Sequence, residues 1–147
     1  MKPRLYIPLL LTVAVLPACA GDSPVGPACT PITTQQASVS GDTVTTTTGL
    51  QYIETQLGTG AVVEACRAIV VHYTLFVDGE RLESSRDTNQ PVRFTPGSGQ
   101  LIAGFEQGVI GMRIDGQRRL IIPPSLGYGN TAGHPLSAST LVFDVEL

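Results

Sequence analysis

Few residues in this 147-residue chain have the types and spacing for covalent or acid–base chemistry. His72 sits within the apolar run 69–77, where a histidine is better read as packed and hydrogen-bonded than as a base. His134 lies in a Gly/Pro loop and is either a rim contact or plain surface. Two histidines with the cysteines at 29 and 66 do not resemble a zinc site. Gly97-Ser98-Gly99 lacks the spacing of a nucleophile elbow and reads as a turn. Ser84-Ser85-Arg86-Asp87 reads as a strand end and bulge.

More is organised in residues 101–112, which include Gly104-Phe105-Glu106-Gln107-Gly108. Phe105, Val109 and Met112 fall at i, i+4 and i+7, so a short helix here points them inward together. Gly104, Gly108 and Gly111 each cost a helix about 1 kcal/mol against Ala, which suggests that they serve close packing on a sheet. Two readings follow for Phe105: the floor of a cavity, or one more side chain of an ordinary core helix.

The elements that must position this stretch fill the rest of the chain. Lys2 and Arg4, an apolar run over 5–16 and small residues at 17–21 make residues 1–18 a secretory signal peptide. Its apolar run is shorter than the roughly 20 residues of a membrane span. Leu16-Pro17-Ala18-Cys19 resembles a bacterial lipobox, with Cys19 lipidated; Ala18-Cys19-Ala20 also fits ordinary cleavage. The lipoprotein reading is preferred, and either one places the protein in the periplasm or cell envelope. Cys29 and Cys66 then remain as a pair in an oxidising compartment, and a disulfide between them is expected. It would contribute about 3–4 kcal/mol; the alternative is two separate thiols.

Residues 19–48, rich in Thr, Ser, Pro and Gly, read as a flexible tether. Nine basic residues less Lys2 and Arg4 leave seven against twelve acidic ones, a net charge of −5 after export. That balance argues against nucleic acid or anionic lipid as partners, leaving a lipid on Cys19 as the only membrane contact. Residues 49–147 form one domain of roughly 100 residues. Strands are expected at 50–57, 69–77, 81–85, 91–94, 118–122 and 140–147, with Asp78-Gly79 as a hairpin turn. The class is α+β, an antiparallel sheet wrapped over one short helix.

Taken together, Val70-Val71-His72-Tyr73-Thr74, Asp78-Gly79, Ser84-Ser85-Arg86-Asp87, Gly104-Phe105-Glu106-Gln107-Gly108, Met112, Gly127-Tyr128-Gly129 and the closing Thr140-Leu141-Val142-Phe143-Asp144-Val145-Glu146-Leu147 resemble the FKBP-type peptidyl-prolyl cis-trans isomerases over residues 49–147. The resemblance implies a half-barrel curled around the helix, enclosing an apolar pocket that takes proline-containing polypeptides, with macrolide immunosuppressants as inhibitors and no cofactor or metal. Catalytic positions carried over are Tyr73, Glu83, Phe105, Tyr128 and Phe143. Leu82, Val92, Leu101, Ile102 and His134 are carried over as substrate-binding positions. Phe105 matches the aromatic floor, while the Tyr128 hydroxyl and the Ile102 N–H match the ligand-holding donors. Leu82, Glu83 and Val92 depart from the usual Phe, Asp and Phe, and the segment after Pro135 is short. These departures leave a second implication, a non-catalytic peptide-binding chaperone of the same fold.

Overall fold

The computed structural model describes residues 41–147. The expected signal peptide, Cys19, Cys29 and tether residues 19–40 lie outside the described residues. The chain runs through β1 (Thr43–Thr45), β2 (Gln51–Gln56), β3 (Ile69–Val77), β4 (Glu80–Ser84), β5 (Val92–Phe94), the helix α1 (Ala103–Val109), β6 (Gln117–Ile122), a 3-10 turn (Pro124–Leu126) and β7 (Leu141–Glu146). The sheet is antiparallel, in the order β1-β2-β6-β7-β3-β4, with β5 paired to β3. This is the α+β arrangement expected from the alternation of apolar residues.

The strand pattern of 69–77 falls on β3 without displacement, and Asp78 and Gly79 take the positive φ angles (52° and 84°) that join β3 tightly to β4. In β7, Leu141, Phe143 and Val145 are buried on one face, and Leu147 packs against the same core. One boundary differs. Residues 43–48 were expected in the tether because they offer no apolar face, yet Thr43–Thr45 pair with Ile53, Tyr52 and Gln51 of β2. An edge strand needs little burial, β-branched residues favour the extended backbone, and Val44 alone reaches the core.

The helix glycines explain how α1 lies on the sheet. A Cβ on Gly104 would stand 2.4 Å from Ile122 Cγ2, and one on Gly108 would stand 2.6 Å from both terminal carbons of Leu120. Both glycines therefore let α1 press directly on β6. Gly111 serves otherwise: it follows the helix with a φ of 83°, and nothing crowds it. Met112, also beyond the helix, is still buried beneath it.

A buried ion pair fixes the other end of α1. Arg118 of β6 donates to Glu54 of β2 and to the carbonyls of Gly108 (2.6 Å) and Ile110 (3.1 Å). Its guanidinium lies 4.3 Å from the centre of the Tyr52 ring. The last carbonyls of a helix lack intrahelical partners, and Arg118 supplies them from the sheet.

Candidate functional site

Helix and sheet together enclose an aromatic cluster. α1 carries Phe105 inward against Phe143 of β7, ring centres 5.1 Å apart and 80° between planes. Tyr73 of β3 meets Phe105 at 6.2 Å and Phe143 at 5.9 Å, and Phe94 of β5 backs Phe105 at 5.7 Å. The two edge-on pairs, Phe105 with Phe143 and with Tyr73, contribute about 0.5–1.5 kcal/mol each beyond their burial. Phe105 is 4% exposed, so one ring belongs to the core while also closing the bottom of a cavity of about 480 Å³. Both readings of Phe105 thus hold at once.

Eight of the ten carried-over positions line that cavity: Tyr73, Glu83, Val92, Leu101, Ile102, Phe105, Tyr128 and Phe143. Leu82 and His134 do not. A bulge between Leu75 and Phe76 pairs Leu75 with Glu83 but Phe76 with Arg81, which leaves Leu82 without a cross-strand partner and 59% exposed. His134 instead stacks on Tyr128, ring centres 3.9 Å apart and 15° between planes, and its Nδ1 accepts the Leu136 N–H. Leu75 completes the β3 wall, two residues from Tyr73, a spacing that the strand alternation could have exposed. Gly99, Gln100, Gly127 and Thr131 also line it; Gly127 stood in a motif of the resemblance and Gly99 in a turn, but neither was assigned to the site, and nothing in the sequence marked Gln100 or Thr131.

The wall containing Gly99, Gln100 and Leu101 is held by Glu106, a buried residue of α1. Its Oε2 accepts the N–H groups of Gly97 (2.8 Å) and Gly99 (3.1 Å), and its Oε1 accepts that of Leu101 (2.9 Å). Three amide donors on one carboxylate offset its burial and hold the loop to the helix. Tyr73 is fixed from both sides of its backbone: its N–H donates to the Ser85 hydroxyl (2.9 Å), and its carbonyl accepts the Ser85 N–H (3.0 Å). His72 Nδ1 lies 3.0 Å from the same hydroxyl, which makes His72 a packed, bonded residue.

Polar groups at the cavity are few. The Tyr73 hydroxyl donates to Glu83 Oε1. Burial, that bond and the charge of Glu83 together push the Tyr73 hydroxyl up to about 12. The Tyr128 hydroxyl and the Ile102 N–H have no protein partner among the described residues. The site therefore offers an apolar, aromatic-floored hollow with two donors available to a carbonyl, and it assembles no nucleophile–base pair.

A smaller cavity, about 250 Å³, is lined by His72, Thr74, Arg86, Arg119, Asp144 and Glu146, among others. By strand alternation His72, Thr74, Arg119, Asp144 and Glu146 face away from the aromatic cluster. Their charges are matched to one another, Arg86 with Glu146 and Arg119 in a two-pronged contact with Asp144 at 2.6 and 2.7 Å.

Comparison with known proteins agrees with the geometry. The family model described as FKBP-type peptidyl-prolyl cis-trans isomerase matches residues 60–147. FK506-binding protein 2B of Rhizopus delemar is 51% identical over 81 residues, covering 52% of this chain and 39% of that protein. The probable FK506-binding protein of Corynebacterium glutamicum is 44% identical over 94 residues, covering 62% of this chain and 78% of its own length. The crystal structure of AtFKBP13 superposes with a TM-score of 0.64 at 30% identity, covering 71% of this chain and 95% of that one. This chain thus spans well under half of the Rhizopus protein but most of the Corynebacterium protein and of AtFKBP13. With sequence, sheet order and cavity in agreement, the chain belongs to the FKBP-type peptidyl-prolyl cis-trans isomerase family.

Proposed function

We propose that this protein accelerates rotation about X-Pro bonds in exported polypeptides, using the aromatic-floored cavity and no covalent intermediate. The observation that carries this reading is the pairing of a buried ring, Phe105, with two unengaged donors at the cavity, the Tyr128 hydroxyl and the Ile102 N–H. An X-Pro bond turns over a barrier of about 18–20 kcal/mol, set by loss of amide resonance. The twisted bond has less charge separation than the planar one. A water-poor hollow therefore disfavours the planar state relative to the twisted one, and that difference accelerates rotation. Tyr73, Phe105 and Phe143 would wall the proline ring. Tyr128 and Ile102 would hold a carbonyl, and Glu83 would anchor the opposite side through Tyr73. Macrolides of the FK506 type, after which the relatives are named, would compete for the same hollow.

The assay is acceleration of cis-to-trans conversion in a short X-Pro peptide, with Tyr128→Phe and Phe105→Ala as controls. Turnover that falls in both variants is the expected result. Absence of acceleration at micromolar protein, with prevention of aggregation intact, would replace the enzyme with a peptide-binding chaperone.

Export belongs to the same proposal. It rests on the basic and apolar start of the chain and on the cysteine count, which leaves Cys66 one cysteine to pair with once Cys19 is lipidated. We assign that partner as Cys29, with Cys19 lipidated and the protein anchored through it to a membrane of the cell envelope. Mass measurement of the mature N-terminus and of a disulfide-linked digest tests both points. An unmodified start at Gly21, or a peptide joining Cys66 to Cys19, would refute the anchor.

A further inference from the structure

We propose that Glu83 sets a charge preference for this cavity, favouring polypeptides with a cationic side chain beside the proline over those with an anionic one. The inference builds on the reading of the cavity as a proline site. Glu83 is the single charged residue among the described residues that line it. One carboxylate oxygen accepts the Tyr73 hydroxyl, and the other has no protein partner among the described residues. The arginines nearest along the chain do not neutralise it, because Arg81 is paired with Asp87 and Arg86 with Glu146. An exposed, unpaired negative charge thus stands over an apolar floor, fixed in direction by the bond to Tyr73.

A proline ring seated on Phe105 brings its two neighbouring residues to the rim, within reach of Glu83. There a lysine or arginine is attracted and a glutamate or aspartate repelled. The proposal concerns only that electrostatic difference. Leu101, Val92 and Leu75 also contact whatever side chain arrives, but they carry no charge and cannot distinguish lysine from glutamate by its sign. For unit charges a few ångströms apart at a wet rim, each effect is a few-fold, so lysine against glutamate differs by about tenfold at low ionic strength.

The test uses short peptides with Lys, Leu or Glu placed immediately before or immediately after one proline. The ratio of kcat/KM for Lys over Glu is expected near tenfold at one of the two positions. It should fall toward one in about 1 M salt, where screening acts within roughly 3 Å. It should fall likewise in Glu83→Gln, which keeps an acceptor for Tyr73 but removes the charge. A ratio near one at both positions in the parent protein overturns the proposal, as does a ratio that survives both salt and substitution. If Glu83→Gln does not fold, the salt series on the parent decides alone. The same ratio read from peptide dissociation constants keeps the test independent of turnover. Failure to turn over the neutral Leu peptide would sink the isomerase reading and leave the charge preference to be judged by binding.

Discussion

Glu106→Gln isolates the contact that holds one wall of the cavity. The two side chains have nearly the same shape, so the change is one of hydrogen-bond pairing. In the parent, one carboxylate oxygen takes Gly97 and Gly99 and the other takes Leu101. A glutamine can replace only one of them with oxygen. The least costly placement keeps the oxygen on the two glycines and sets the NH2 group against the Leu101 N–H. Two donors, the buried amide and the partly buried Leu101 N–H, then lack acceptors, each worth about 1–3 kcal/mol. Removing a buried charge recovers part of that loss. A net destabilisation of about 2–4 kcal/mol is expected, a large share of the roughly 5–15 kcal/mol of a domain this size. Urea unfolding gives the total, and native-state amide exchange gives its location. Gly97, Gly99 and Leu101 should exchange faster than global unfolding predicts, while Val145 in β7 should track the global value. Because Leu101 and Gly99 line the cavity, KM for a proline peptide should rise with the loosening. A variant within about 0.5 kcal/mol of the parent, with Leu101 exchange unchanged, would refute the reasoning.

Arg118→Ala should cost about 3–5 kcal/mol by urea unfolding, since it removes the cation paired with buried Glu54 and the donors to the carbonyls of Gly108 and Ile110. Gly108→Ala should destabilise by about 1–3 kcal/mol despite better helix propensity, because the new methyl meets Leu120 at 2.6 Å. Thermal unfolding of the two proteins side by side checks it, and a gain in stability would contradict the close packing. Tyr73 should ionise near 12 in a spectrophotometric titration, with the late step absent in Tyr73→Phe. The unfolded chain releases that proton near its ordinary value of about 10. The Tyr73 contribution is therefore full below about pH 10 and is lost as pH rises through about 12.

Much of this architecture was legible beforehand because local pattern and tertiary role coincide. The alternation in 140–147 names the inward residues of β7, the apolar run 69–77 marks β3, and Asp78-Gly79 marks the hairpin from β3 to β4. Phe105 was legible twice, from helical spacing and from family resemblance. What escaped depends on partners distant along the chain. Glu54 sits at an inward position of β2 where alternation calls for an apolar side chain. Its burial is intelligible only with Arg118, which lies sixty-four positions later. Glu106 looks like a solvent-facing helical residue until the glycine loop folds over it. Leu82, carried over by resemblance, lies outside the cavity because a one-residue bulge, which the sequence does not show, turns it out to solvent. The 43–45 segment was misjudged because an edge strand carries almost no hydrophobic signature.

That last strand has a practical consequence. A fragment cut at Gly49 would discard Thr43–Thr45 and leave the backbone of Gln51–Gln56 as a bare rim, with the Val44 contact on the core lost. Naked rims of this kind recruit other chains by strand addition. Expression from Gly41 keeps the selvedge of the sheet sewn, so soluble yield should separate the two fragments even where their hollows are the same.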